Sequence, residues 1–97
     1  MSSIEVRRAR AADVEGVATM DDLSVDRLHT KVERSELLVA VDADSIVGSL
    51  RFGFMWDDSP FIHQIVVEED MRGRGIGTAL LLALEAQLRD AGYRLLL

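Results

Sequence analysis

The chain has 97 residues, 48% hydrophobic and 29% charged, with a net charge of −6. That length suits one domain, residues 1–97, burying about 60 to 65% of its unfolded surface, and the balance is that of an ordinary globular sequence rather than a disordered or fibrous one. The negative charge argues against a general nucleic-acid or anionic-membrane binder, and the lack of cysteine excludes a disulfide frame, a thiolate nucleophile and a zinc–thiolate site. His29 and His63 stand too far apart to suggest a metal. Met1 to Arg10 carries charges every few residues and no apolar leader core, so a cytoplasmic location is the default expectation.

Ile4 to Arg8 alternates apolar and charged residues, the pattern of a half-buried strand with Ile4 and Val6 inward. Asp13 to Met20 keeps helical spacing through Val14, Val17 and Ala18, with Asp13 and Glu15 placed favourably for a first turn. Ser24 is positioned to cap a second helix whose apolar face is Val25, Leu28 and Val32. Asp26, Arg27, Lys31 and Glu33 form a polar face read as solvated.

Leu37 to Val41, Ile46 to Met55 and Phe61 to Val67 read as three strands. The short polar links Asp42 to Ser45 and Asp57 to Pro60 imply antiparallel neighbours. Gly48 and Gly53 weaken the middle strand and mark bulges or close packing. Ile76 to Ala91 is the longest helix, with Ile76, Leu80, Leu84 and Leu88 recurring every four residues, Glu85 and Arg89 paired on the other side, and Gly92 as its stop. Tyr93 to Leu97 begins a further strand, expected to return parallel to the fourth.

Between the fourth strand and the long helix lies the most informative stretch: Ile65, Val66 and Val67, an acidic link, then Arg72-Gly73-Arg74-Gly75-Ile76-Gly77-Thr78. Strand, glycine-rich turn and helix together make an anion-holding device. Glycine permits positive φ and close backbone approach, and successive N–H groups at a helix start aim partial positive charge at an anion. Arg72 and Arg74 add full charges. The loop fits neither the G-x-G-x-x-G dinucleotide fingerprint, since Thr78 occupies the third glycine position, nor the P-loop, since it has no lysine. A purely structural strand-to-helix turn is the plain alternative.

What does fit is Arg-x-x-Gly-x-Gly at Arg72, Gly75 and Gly77 behind a valine-rich strand. This resembles the acetyl-CoA pyrophosphate loop of the GNAT superfamily of N-acetyltransferases. The resemblance extends over almost the whole chain and implies an α+β fold: a mostly antiparallel mixed sheet with helices on both faces. In that family the fold continues past the fifth strand with a helix and two more strands. The implied chain is therefore truncated after that strand, or its last edge is covered by a homodimer mate or another partner chain.

The resemblance further implies that the pantetheine arm of acetyl-CoA lies along Ile65, Val66 and Val67. The pyrophosphate would rest on Gly73, Arg74, Gly75, Ile76 and Gly77, with a hydroxyl from Thr78 and charge from Arg72. The implied reaction is attack of a primary amine, of a small molecule or peptide, on the acetyl thioester. A backbone N–H near Val67 would meet the oxyanion. The candidates to deprotonate the amine are His63, read as sharing the strand parity of Ile65 and Val67, and Glu68 or Glu69. Phe61 stands where some members carry a strand-four glutamate, and Tyr93 is not at the place of the family's general acid. His63 as a packed or surface histidine and Glu68 as part of a solvated link are the plain readings. Trp56, Phe54 and Met55 suit either an acceptor pocket or simple packing. The acidic surface favours a cationic acceptor, and the alternative to an enzyme is a non-catalytic acyl-CoA-binding or regulatory module.

Overall fold

The computed structural model describes residues 4–56 and 58–93. The elements in chain order are β1 (Ile4–Arg8), a 3-10 turn (Ala11–Asp13), α1 (Val14–Ala18), α2 (Val25–Glu33), β2 (Leu37–Asp42), β3 (Ser45–Met55), β4 (Ser59–Val67), a second 3-10 turn (Glu69–Met71) and α3 (Ile76–Asp90). The strands form one sheet in the order β1-β2-β3-β4, every pair antiparallel. The tight polar links of β2 to β3 and of β3 to β4 dictate antiparallel pairing there, whereas β1 reaches β2 through the connection that holds α1 and α2. The strand expected over Tyr93–Leu97 lies, beyond Tyr93, outside the described residues. None of the described helices is long and apolar enough to cross a membrane.

Each face of the sheet carries its own core, as strand alternation requires. Leu38, Ala40, Leu50 and Phe52 face α3 and pack with Ile76, Leu80, Leu84 and Leu88, all essentially buried. Leu37, Val39 and Val41 face the other way, onto Val14 and Val17 of α1 and Leu28 of α2. The fold is thus α+β with helices on both faces.

Local chemistry explains the element boundaries. α1 is shorter than its apolar spacing suggests. Gly16 lies in its middle, where a Cβ would come within 3.0 Å of Ile46 Cγ1, and the Thr19 hydroxyl donates back to the Gly16 carbonyl at 2.7 Å. Asp13, in the preceding 3-10 turn, accepts from the Arg10 N–H at 2.7 Å. Ser24 caps α2 through the Arg27 N–H. Gly92, at φ +89°, ends α3: its N–H donates to the Arg89 carbonyl and that of Tyr93 to the Leu88 carbonyl, the paired bonds of a Schellman stop. Val25 departs from its expected role and is 43% exposed, because α2 meets the sheet through Leu28 and Val32. Glu85 and Arg89 are both exposed and form no ion pair among the described residues.

Two register shifts shape the sheet. Ala40 pairs with Gly48 while Val41 pairs with Ile46, so Val47 is the extra residue of a bulge in β3. Arg51 pairs with Gln64 while Phe52 pairs with Ile62, which makes His63 the extra residue of a bulge in β4. Gly48 serves close packing: a Cβ there would lie 3.1 Å from Ile76 Cγ2, 3.2 Å from the Val66 carbonyl oxygen and 3.3 Å from Leu80 Cδ1. The first turn of α3 therefore rests directly on β3 and β4.

Candidate functional site

β4 is the edge strand of the described sheet. The Glu68 N–H donates to the Val47 carbonyl at 2.9 Å, so Glu68 points its peptide groups inward, toward β3. By alternation, Val66 does the same, while Ile65 and Val67 turn their N–H and C=O groups to the edge that no other described strand covers. The Val67 carbonyl accepts a bond from Arg72 Nε at 3.3 Å, which ties the loop after β4 back to the strand end. The side chains of Ile65 and Val67 lie on the α3 face, because their register partners are Leu50 and Gly48.

The loop itself is built from backbone. Arg72 is extended, Gly73 has φ +80° and Gly75, immediately before α3, has φ +79°. Two left-handed residues, one residue apart, are cheap only for glycine. From Gly73 through Thr78, six consecutive amides find no acceptor among the described residues, and Ala79 is the first to donate, to the Gly75 carbonyl at 2.9 Å. Nothing lies within 4 Å of the Cβ positions of Gly73, Gly75 and Gly77, so the amides border open space. Ile76 is buried and anchors the turn, whereas Arg72, Arg74 and Thr78 are exposed around it. Unbonded donors at a helix start, backed by the helix dipole and two guanidinium groups, suit a diphosphate.

The structure does not bring the two candidate bases together. His63 and Glu68 are separated by about 16 Å of strand. The bulge also inverts the expected parity: His63 projects with Phe61 and Gln64 on the α2 side, opposite Ile65 and Val67. Its ring packs against Phe61 at a 49° tilt, with centroids 4.5 Å apart, and covers Gly53. His63 is exposed overall, but desolvation where its ring lies against Phe61 and Gly53 lowers its pKa from the ordinary value of 6.5; the positive charges of Lys31 and Arg51 push the same way, and Glu36 opposes them. The ring is therefore neutral at neutral pH. Glu68 is exposed and lies in a shallow depression with Asp42, Asp70 and Met71.

Two features of the α2 side carry no sequence signal of their own. Lys31, on the face read as solvated, is only 15% exposed; its Nζ donates to Glu36 at 2.9 Å and to the Phe52 carbonyl at 2.7 Å. Asp21, with a side chain 1% exposed, receives Arg51 through both oxygens and also caps the Leu23 N–H. Arg51 in turn donates to Gln64 at 3.0 Å, which fixes the α1–α2 link beside the His63 bulge. Such pairings join residues far apart in the chain and become visible only in three dimensions.

An antiparallel sheet whose four described strands end at β4, with an amide-lined turn from β4 into the third helix, has an acyl-CoA N-acyltransferase architecture. The profile of the acetyltransferase (GNAT) family matches residues 5–97, and the chain belongs to that family. Rv2747 from Mycobacterium tuberculosis, solved in complex with CoA and NLQ, is 29% identical with a TM-score of 0.82, over 92% of this chain and 60% of that one. The PaiA N-acetyltransferase of Thermoplasma acidophilum, in complex with coenzyme A, matches at 18% identity and a TM-score of 0.81, over 93% of this chain and 74% of that one. N-acetylglutamate synthase from Neisseria gonorrhoeae, complexed with coenzyme A and N-acetyl-glutamate, matches at 17% identity and a TM-score of 0.84, over 96% of this chain and 24% of that one. The chain thus spans 60% of the Mycobacterium protein's length and about a quarter of the Neisseria protein's. No curated protein matches the sequence significantly.

Proposed function

We propose that this chain binds acetyl-CoA and transfers its acetyl group to a primary amine of a small molecule or peptide. The observation that carries the reading is the run of six amides from Gly73 to Thr78 with no acceptor among the described residues, adjoining the edge of β4 at Ile65 and Val67. Coenzyme A in the Mycobacterium, Thermoplasma and Neisseria structures supports the same ligand here.

Acetyl-CoA supplies the thioester whose carbonyl carbon the amine attacks, with the thiol departing. This chain's residues hold and orient it. The amides of Gly73 to Thr78 take the diphosphate, with Arg72 and Arg74 adding positive charge. The edge peptide groups of Ile65 and Val67 take the amide-bearing arm as a further strand would be taken. A backbone N–H of this same strand edge is the donor for charge developing on the thioester oxygen. His63, neutral and reached from the opposite face, is the group suited to accept a proton from an incoming ammonium.

The separation of His63 from Glu68 favours one second reading, an acyl-CoA-binding module without transfer chemistry. Release of free thiol from acetyl-CoA on addition of a panel of amines distinguishes the two: amine-dependent release supports the transferase, and its absence despite coenzyme binding supports the module. Pairing into a homodimer or with a partner chain belongs to the same proposal. Light scattering tests it, and a clean monomer would remove it.

A further inference from the structure

We propose that the acceptor carries a carboxylate beside its amine, and that the cleft between the end of α2 and the β3–β4 hairpin receives it. This rests on the acetyltransferase reading above and names its substrate class. The cleft has a volume of about 460 Å³ and is lined by Lys31, Arg34, Glu36, Gly53, Phe61 and His63, with Phe54 at its margin. That is the size range of small-molecule sites. It opens on the face of the sheet away from α3, so an occupant there does not compete with a coenzyme lying against the loop before α3.

The charges of the cleft run against those of the whole chain. Lys31 and Glu36 satisfy each other at 2.9 Å, and Lys31 also holds the Phe52 carbonyl. Arg34 is exposed, and its guanidinium has no partner among the described residues. The lining therefore leaves one uncompensated cation, in a chain whose net charge is −6. A planar guanidinium of this kind takes a carboxylate through two parallel bonds. The rings of Phe61 and His63, centroids 4.5 Å apart and tilted by 49°, give an apolar wall for an aliphatic segment, with the imidazole lying over Gly53. The His63 imidazole, uncharged at neutral pH, offers a lone pair to an ammonium. Carboxylate, short aliphatic chain and amine together describe an amino acid. A polyamine, the class favoured by overall charge alone, would bring only cations to a site already positive.

L-ornithine and putrescine differ by that carboxylate and serve as matched probes. Calorimetry with acetyl-CoA on the full chain comes first, followed by NMR titration of the coenzyme-bound protein with each probe and measurement of amine-dependent thiol release. The expected result is that ornithine shifts the His63 and Phe61 ring signals and binds about two- to fivefold tighter than putrescine, the range of an exposed ion pair. Arg34→Gln should erase that preference and Arg34→Lys should retain part of it, with melting of both variants confirming the fold. Equal or tighter binding of putrescine, or a preference that survives Arg34→Gln, would overturn the inference while leaving coenzyme binding intact. Failure of the wild-type chain to bind acetyl-CoA would overturn it together with the reading beneath it.

Discussion

The imidazole of His63 occupies the space that a side chain at Gly53 would need: a Cβ there would lie 2.8 Å from both Cε1 and Nε2, and 3.1 Å from Lys31 Nζ. The β4 bulge turns His63 toward α2, and the bare backbone of Gly53 accepts its ring. Gly53→Ala should therefore expel the ring. Both crowded groups are the ends of flexible side chains, so the loss of stability should be modest, about 1 kcal/mol. Freed from desolvation against Gly53 and from Lys31, His63 should titrate closer to its ordinary value, which histidine NMR can follow. An unchanged titration would contradict this packing.

The lowered pKa of His63 also sets a direction for stability against pH. The unfolded chain takes up the proton more readily than the folded one, so this contribution is present above the unfolded value near 6.5 and is lost as pH falls through the folded value. Thermal melting should drop as pH falls below the ordinary value of 6.5. His63→Gln should flatten that part of the curve, and identical slopes for the two proteins would rule this contribution out.

Asp21 and Arg51 form the most buried ion pair among the described residues, with side chains 1% and 13% exposed. Removing one member strands the other charge. Asp21→Ala should cost about 3 to 5 kcal/mol, a large share of the roughly 5 to 15 kcal/mol typical of a domain. Urea unfolding measures it. A loss below about 1 kcal/mol would show the pair behaving like an exposed one.

Ala43 sits at φ +55° as the first central residue of the two-residue turn joining β2 to β3. A left-handed alanine is strained, and tight hairpins favour glycine at this place. Ala43→Gly should stabilise the protein by about 0.5 to 1 kcal/mol, raising its melting temperature by about 3 to 6 °C. Calorimetric melting that shows a fall would mean the turn is held by contacts of the alanine methyl.

The features legible in the sequence were those decided by neighbouring residues. The four-residue spacing of Ile76, Leu80, Leu84 and Leu88, the Ser24 cap and the Gly92 stop depend on local geometry, and each is present in the fold. The same holds for the loop, because positive φ at Gly73 and Gly75 is a demand that glycine alone meets easily. The side chosen by His63 was not legible, since a bulge exists only relative to the pairing of β4 with β3. Lys31 was misread for a similar reason: the Phe52 carbonyl that holds it is 21 residues away in the chain. The acceptor cleft is assembled from α2, β3 and β4 together, and no single segment announces it.

Calorimetric titration of acetyl-CoA into the wild-type chain and into Gly77→Leu tests the central claim most directly. Gly77 lies inside α3 with nothing within 4 Å of its Cβ position, so leucine there should leave melting equal or higher while projecting into the space before the free amides. The account predicts saturable heat for the wild-type protein and at least about tenfold weaker binding for the variant, the loss of a charge-assisted contact or more. Absence of heat from a folded wild-type chain, or equal affinity in the two proteins, would contradict it.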